Sequence, residues 1–366
     1  MRNICLIGQD NKNASLQQDY FSVVHRFRSF GYDFKEIRIL FEWEEQTLKK
    51  TLKECKENFD NVFFLLDSAL FLGVKSLVLS VFKNELSVAM QNCGVFQEQE
   101  KTLFLCCAPL MQTMQFVENV CVEYLSKKYA LKLDKFVIRS VGASETRVLQ
   151  LIAKSETLAQ GKITCKRRRV FDEDVIEVFY DQNTPKMLLD DVLRIFAEGL
   201  EDSVYALEDR SLETQLVDLL KIRGKKISVA ESFTGGAIAK RITSVSGASR
   251  VYFEGLNTYN EQSKMKRLGV LPTTLNTMGA VSDQTAYEMA AGLIATGDCD
   301  IAIATTGLAG PNTDSSGLPV GLCYIAIGTK ETVFVYRYKF DGTRQEICEK
   351  AVNYALFLAF KQLKNA

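Results

Sequence analysis

Histidine is almost missing from this chain: His25 is the only one in 366 residues. A catalytic or metal site that needs two imidazoles is excluded, and one that needs a single imidazole must be built around His25. An excess of charge of one sign is missing too. The 45 lysines and arginines balance the 45 aspartates and glutamates, so net charge gives no reason to expect nucleic acid or an anionic membrane. The ten cysteines contain no C-x-x-C pair, and only Cys106 and Cys107 are adjacent. That spacing excludes a zinc ribbon and a disulfide framework, and leaves reduced thiols in a core. Long apolar runs are absent: the start at residues 4–7 is too short for a signal peptide, and stretches such as 74–82 fall well short of the roughly 20 residues that span a bilayer. The expectation is a soluble, cytoplasmic protein. With 47% hydrophobic and 25% charged residues it is globular, and its length predicts two or three domains.

Residues 1–155 alternate strand-like runs, at 4–7, 33–40, 61–66, 102–107 and 135–139, with segments of 3.6-residue spacing such as 16–30 and 44–55. Such alternation predicts a parallel sheet with helices on both faces. Residues 156–210 read as a small α+β connector, with polar-rich strands at 162–168 and 175–180 before a helix at 187–199. The basic run Lys166, Arg167, Arg168, Arg169 in this connector reads as a solvated strand end. No G-x-x-G clamp accompanies it, and Asp172 and Asp174 follow at once, so nucleic acid is not an expected partner. From 211 onwards the alternation resumes, with strands at 226–230, 250–259, 301–305, 321–328 and 332–340 and helices at 236–243, 283–295 and 345–361. The fold class is therefore α/β: two α/β domains, 1–155 and 211–366, with parallel or mixed sheets, joined by the connector.

Glycine is what the C-terminal part has in quantity, with 15 of the 22 falling from Gly224 to Gly342. Glycines gather where backbone approaches a ligand or takes positive φ, and also where turns are merely numerous. Two clusters share one context. The strand 227–230 runs into Glu231-Ser232-Phe233-Thr234-Gly235-Gly236 and a helix, and 301–304 runs into Thr305-Thr306-Gly307-Leu308-Ala309-Gly310-Pro311. Loops at the carboxyl ends of parallel strands line the ligand crevice of open α/β sheets. Neither cluster is G-x-x-x-x-G-K-[ST] or G-x-G-x-x-G, so phosphoryl transfer and dinucleotide binding have no specific support. Ser232 at a strand-to-helix turn is either an N-cap or a nucleophile. With His25 far upstream, its base would be lysine, tyrosine or a carboxylate; Tyr259 and Lys264 supply the first two, although a lysine on an amphipathic segment is usually solvated.

Six blocks, in order, carry a resemblance: residues 230–236, Tyr259 with Lys264, 279–282, 306–311, 319–321 and 342–344. Together they resemble the competence/damage-inducible CinA family, whose C-terminal domain is a nicotinamide mononucleotide deamidase, a serine/lysine amidohydrolase without metal or cofactor. The resemblance implies Ser232 as nucleophile, Lys264 as its base and Tyr259 relaying a proton or orienting the carboxamide. It implies that Thr234, Gly235, Gly236, Thr306, Gly307 and Gly310, with Arg344, hold phosphate and oxyanion, and that the protein is a homodimer. As a base, Lys264 needs its pKa depressed, by burial and by a nearby cation such as Arg344. Residues 139–145 and 204–209 resemble the family's domain junctions, so 1–155 corresponds to its molybdopterin-binding-like domain. There the family carries a glycine-rich loop associated with ADP-ribose pyrophosphatase activity, where this chain has Leu65-Leu66-Asp67-Ser68-Ala69-Leu70. Loss of that activity is expected, in a degenerate domain. Phe233 replaces a common cysteine, and Cys348 a frequent second arginine. The alternative is a catalytically silent docking protein for competence or recombination factors.

Overall fold

The structure, a computed structural model, describes residues 1–9, 17–41, 44–66, 71–86, 88, 90–108, 110–130, 133–313 and 317–365. The loop at 67–70, on which the pyrophosphatase expectation turns, lies outside the described residues, as do residue 16 of the first helix segment and residues 314–316. The chain forms two compact units, residues 1–135 with 179–184, and 136–178 with 185–366.

The first unit runs β1 (Asn3–Gln9), α1 (Gln17–Arg28), β2 (Glu36–Phe41), α2 (Glu45–Asn58), β3 (Asn61–Leu65), α3 (Phe71–Val81), β4 (Asn84–Leu86), β5 (Cys93–Glu98), β6 (Lys101–Cys106), α4 (Leu110–Phe116) and α5 (Glu123–Tyr129). Its sheet has the order β2-β1-β3-β6-β5-β4; the first four strands are parallel, and β5 and β4 add an antiparallel edge. Side chains alternate faces along a strand, so continuous apolar runs feed two cores. Ile4, Leu6, Val62, Phe64, Leu103 and Leu105 pack against Leu48 and Leu52 of α2 and Val78 of α3. Cys5, Ile7, Phe63, Leu65, Phe104 and Cys106 pack against Val23 and Phe27 of α1 and Leu125 of α5. The sheet is mixed where alternation alone suggested parallel, because β4, β5 and β6 follow one another in the chain with no helix between them and pair antiparallel.

The chain continues with β7 (Leu133–Val141), α6 (Glu145–Ala159), β8 (Ile163–Val170), β9 (Glu173–Asp181), α7 (Lys186–Leu200), β10 (Val204–Ala206), α8 (Leu212–Arg223), β11 (Ile227–Glu231), α9 (Ala237–Thr243), β12 (Tyr252–Asn257), α10 (Glu261–Leu268), α11 (Pro272–Thr277), α12 (Asp283–Ala295), β13 (Ile301–Gly307), β14 (Leu322–Thr329), β15 (Val333–Lys339) and α13 (Arg344–Asn365). One sheet has the order β10-β7-β9-β8. On β8 the basic run divides: Arg168 is exposed, as a solvated strand end requires, whereas Arg167 and Arg169 are paired. Arg167 donates to Asp174 at 2.6 Å and Glu145 at 2.8 Å, and Arg169 donates to Asp174 at 2.6 Å and the Ala143 carbonyl at 3.0 Å. Asp174 is fully buried, and a buried carboxylate needs cationic partners, which these two arginines supply.

The other sheet of the second unit, β12-β11-β13-β14-β15, is parallel through β12, β11 and β13 and antiparallel through β14 and β15. Its two faces differ in kind. One presents Ile227, Val229, Ile301, Ile303, Ile325 and Ile327 to α8, α9 and α13. The other presents Ala230, Ala302, Ala304 and Ala326 to α12, where Met289, Ala290 and Leu293 fill the space. Small side chains let α12 approach closely, and α12 in turn presses on the end of α10. At Gly292, in the last turn of α12, a Cβ would lie 2.0 Å from the Leu268 carbonyl oxygen. Among the described residues no helix is long and apolar enough to cross a membrane.

Gly292→Ala sets two effects against each other. Helix propensity favours alanine by about 1 kcal/mol, whereas overpacking costs about 1–3 kcal/mol and here the obstacle is backbone, which cannot rotate away. Because backbone cannot give way, the overlap should win, lowering stability by up to about 2 kcal/mol. Urea unfolding of the two proteins checks this; an unchanged or raised midpoint would refute the close approach.

Candidate active site

β11 is an interior strand of its sheet, parallel to β12 on one side and β13 on the other, with Glu231 opposite Thr305. The two glycine-containing loops therefore leave the same edge side by side. Ser232 follows β11 directly and is buried; its N–H donates to the Thr305 carbonyl at 3.1 Å. The loop then turns on itself, Gly235 N–H donating to the Ser232 carbonyl and Ala237 N–H to the Thr234 carbonyl, both at 3.1 Å. Gly235 and Gly236 have φ of +63° and +96°, and a Cβ on either would meet open space, so conformation rather than crowding requires glycine there.

Lys264 arrives from α10. Asn260 caps this helix, its Oδ1 accepting the Gln262 N–H at 2.8 Å, and Lys264 and Leu268, one turn apart, are its buried residues. With 1% of its surface exposed, Lys264 is not the solvated lysine that an amphipathic segment usually carries. Its Nζ lies 3.0 Å from Ser232 Oγ and donates to the carbonyls of Thr258 at 2.7 Å and Tyr259 at 3.3 Å. Burial lowers its pKa from 10.5 to about 8, while Glu261 pulls it upward. A neutral amine has two N–H bonds and one lone pair. The two carbonyls take the N–H bonds, and the lone pair is left facing the Ser232 hydroxyl.

Tyr259 lies two residues beyond the end of β12, not within the strand, and is divided between two places. Its carbonyl meets Lys264, whereas its exposed phenol oxygen accepts Arg344 Nη2 at 3.0 Å. Arg344 Nη1 also donates to the Gly310 carbonyl at 2.8 Å, so Arg344, Tyr259 and Gly310 form a second cluster. The remaining positions are occupied in other ways. The Thr234 and Thr305 hydroxyls bond each other at 2.8 Å, and Thr306 Oγ1 donates to the Ala280 carbonyl at 2.5 Å. At Gly307 a Cβ would lie 2.5 Å from that of Cys323 and 2.9 Å from the Phe233 ring, a packing reason for glycine. Phe233 is buried with Ala309, Cys323, Phe340, Ile347 and Ala351, and its carbonyl accepts Cys348 Sγ at 3.3 Å. His25 is exposed on α1, in the first unit.

Two residues of the site were not among those singled out from sequence. The carboxylate of Glu231, 1% exposed, accepts the N–H groups of Gly236 at 3.1 Å, Ile238 at 3.1 Å and Ala239 at 2.8 Å. The Gly236 amide, expected to face an anionic substrate, thus already has an anionic partner. Sequence offers little signal for this contact, since Glu231 ends β11 and lies outside the first turn of α9, where acidic residues are expected. Thr258 supplies a carbonyl to Lys264, and its own buried hydroxyl has no partner among the described residues. No side-chain pattern could announce a main-chain acceptor.

Fold and geometry define an α/β protein with a buried serine–lysine pair at the carboxyl edge of a mixed sheet. The model of the CinA C-terminal domain matches residues 209–363. A protein named competence-damage inducible from Caldicellulosiruptor saccharolyticus is 33% identical over 273 residues, covering 74% of this chain and 66% of its own. A CinA-like protein from Kosmotoga olearia is 31% identical over 265 residues, covering 72% of this chain and 64% of its own. The chain thus spans just under two thirds of the length of these relatives. Among solved structures, the competence or damage-inducible protein from Enterobacter asburiae is 33% identical, covering 42% of this chain and 96% of that one with a TM-score of 0.41. The chain belongs to the CinA family.

The buried lysine makes stability depend on pH in a stated direction. Between pH 8 and 10.5 the unfolded chain holds the Lys264 proton and the folded chain does not, so stability should rise with pH there, by up to about 1.4 kcal/mol per unit, and level off on either side. Urea unfolding at pH 7, 8, 9 and 10 should show this rise in the wild type relative to Lys264→Met. Parallel curves for the two proteins would refute the depressed pKa.

Proposed function

We propose that this protein is an amidohydrolase that converts nicotinamide mononucleotide to nicotinic acid mononucleotide and ammonia. The observation that carries the reading is the Lys264 amine, buried, drawn toward neutrality and 3.0 Å from Ser232 Oγ. Neutral Lys264 takes the Ser232 proton as Oγ attacks the carboxamide carbon. The resulting ammonium gives that proton to the departing nitrogen, so ammonia leaves and an ester to Ser232 remains. Water then attacks the ester, losing a proton to Lys264, which returns it to Ser232 Oγ as the acid is released. Lysine replaces histidine in this scheme because its pKa, at about 8, is within reach of working pH.

On this reading Tyr259 acts through two groups, its carbonyl orienting Lys264 and its phenol sharing Arg344. Arg344 is the cation offered to the substrate phosphate, and Thr234, Gly235, Gly236, Thr306, Gly307 and Gly310 shape the surrounding loops. We assign the activity to residues 211–366, with 156–210 as connector and 1–155 as a degenerate molybdopterin-binding-like domain, in a cytoplasmic homodimer that needs no metal or cofactor.

Ammonia release from nicotinamide mononucleotide by the purified full chain tests the reading, and a silent docking protein would release none. Ser232→Ala should lower turnover about 10³-fold or more while leaving mononucleotide binding largely intact. Lys264→Arg keeps the charge but cannot deprotonate in the working range, so it should lose turnover as severely as Lys264→Ala. An arginine variant with near wild-type kcat and a raised KM would make Lys264 a phosphate anchor and overturn the mechanism.

A further inference from the structure

We propose that Glu231 is the positioning residue of this site, holding both partners of the Ser232–Lys264 pair in register. The inference rests on reading Ser232 as nucleophile and Lys264 as its base. The links form a closed ring. The Glu231 carboxylate holds the amides of Gly236, Ile238 and Ala239, which fixes the far end of the loop that starts with Ser232. The Glu231 carbonyl accepts the Thr258 N–H at 2.8 Å, and the Thr258 carbonyl accepts Lys264 Nζ at 2.7 Å. Lys264 Nζ closes the ring on Ser232 Oγ at 3.0 Å.

A plain helix cap would need less than this. A serine or asparagine satisfies one or two amides at a helix start, whereas Glu231 accepts three and is buried while doing so. The carboxylate touches neither substrate space nor Lys264 in this ring; its bonds are to main-chain N–H groups, and it acts by placement. The isosteric substitution Glu231→Gln would turn an NH₂ toward N–H donors, so at least one bond must break and the loop must shift. Misplacing a nucleophile by a fraction of an ångström to an ångström slows its attack by on the order of ten- to a hundredfold.

The readout is the nucleophilicity of Ser232 itself, which does not depend on the substrate being named correctly. A fluorophosphonate reacts with the serine to form a P–O bond and expel fluoride, the serine proton passing to Lys264, and the adduct is counted by intact mass. Full-length wild type should label at one serine, and Ser232→Ala should not. Glu231→Gln should label on the order of ten- to a hundredfold more slowly, with the pH midpoint of the labelling rate unchanged and cooperative unfolding retained at the assay temperature. Glu231→Asp keeps the charge but not the reach, and should be slow as well.

Wild-type labelling rates in Glu231→Gln, a moved pH midpoint, or full rescue by Glu231→Asp would each overturn placement as the role. If Glu231→Gln does not fold, Ala239→Pro decides. It deletes one of the three donors in the first helical turn, where proline is tolerated, and a wild-type rate there overturns the inference. Wild type that labels but releases no ammonia from nicotinamide mononucleotide refutes the proposed function and not this inference. Ammonia release with an unaffected Glu231→Gln refutes this inference alone.

Discussion

Lys264 is held out of water with two carbonyls and one hydroxyl around its amine, none of them charged. An ammonium in such surroundings loses its hydration and gains only dipoles in return, so the neutral form is favoured and the pKa falls. Much of the local architecture follows from that constraint. The helix carrying the lysine must be fixed tightly enough that water cannot follow the amine inwards, and the acceptors must come from main chain, because a carboxylate in contact would restore the ammonium. Asn260 fixes the start of α10 and Gly292 admits its end against α12.

The asymmetry of the β11-containing sheet serves the same end. A face of isoleucine and valine keeps α8, α9 and α13 at ordinary distance, while a face of alanines draws α12 in. Close packing of α12 is what presses α10 toward the strand edge, so a choice of small residues in the middle of the sheet bears on where an amine sits several ångströms away. Packed interiors transmit such choices because they have little free volume to absorb them.

Sequence carried the frame of this molecule well where periodicity was unambiguous. The helix expected at 283–295 is α12, Asp283–Ala295, with Ser282 accepting the Thr285 N–H as its cap. The helix α8 has Leu212, Leu216, Val217 and Leu220 buried at helical spacing, a pattern present in the sequence but not among the helices expected there. The edge strand β4 is only three residues long and largely exposed, too short to alternate, and β5 has four consecutive buried residues rather than an alternating pattern. At the site, the residue types and order pointed to Ser232, Lys264 and Tyr259, yet not to their arrangement. That Lys264 faces inwards is visible only in its phase with Leu268, and that Tyr259 contributes a carbonyl is not visible at all, since every residue has one.

Occupation of the α9 amides by Glu231 also changes where an anion can be received. On the proposed reading the substrate phosphate is turned toward Arg344, whose guanidinium holds the exposed Tyr259 phenol and the Gly310 carbonyl. Those bonds join a cation to neutral oxygens at the surface, where water competes for both partners. A phosphate would replace them with bonds between opposite charges, often bidentate. Exchange therefore favours the phosphate, and it releases the Tyr259 phenol while leaving the Tyr259 carbonyl on Lys264. Binding at one cluster can thus proceed without loosening the other, because the single residue they share contributes a side chain to the first and main chain to the second.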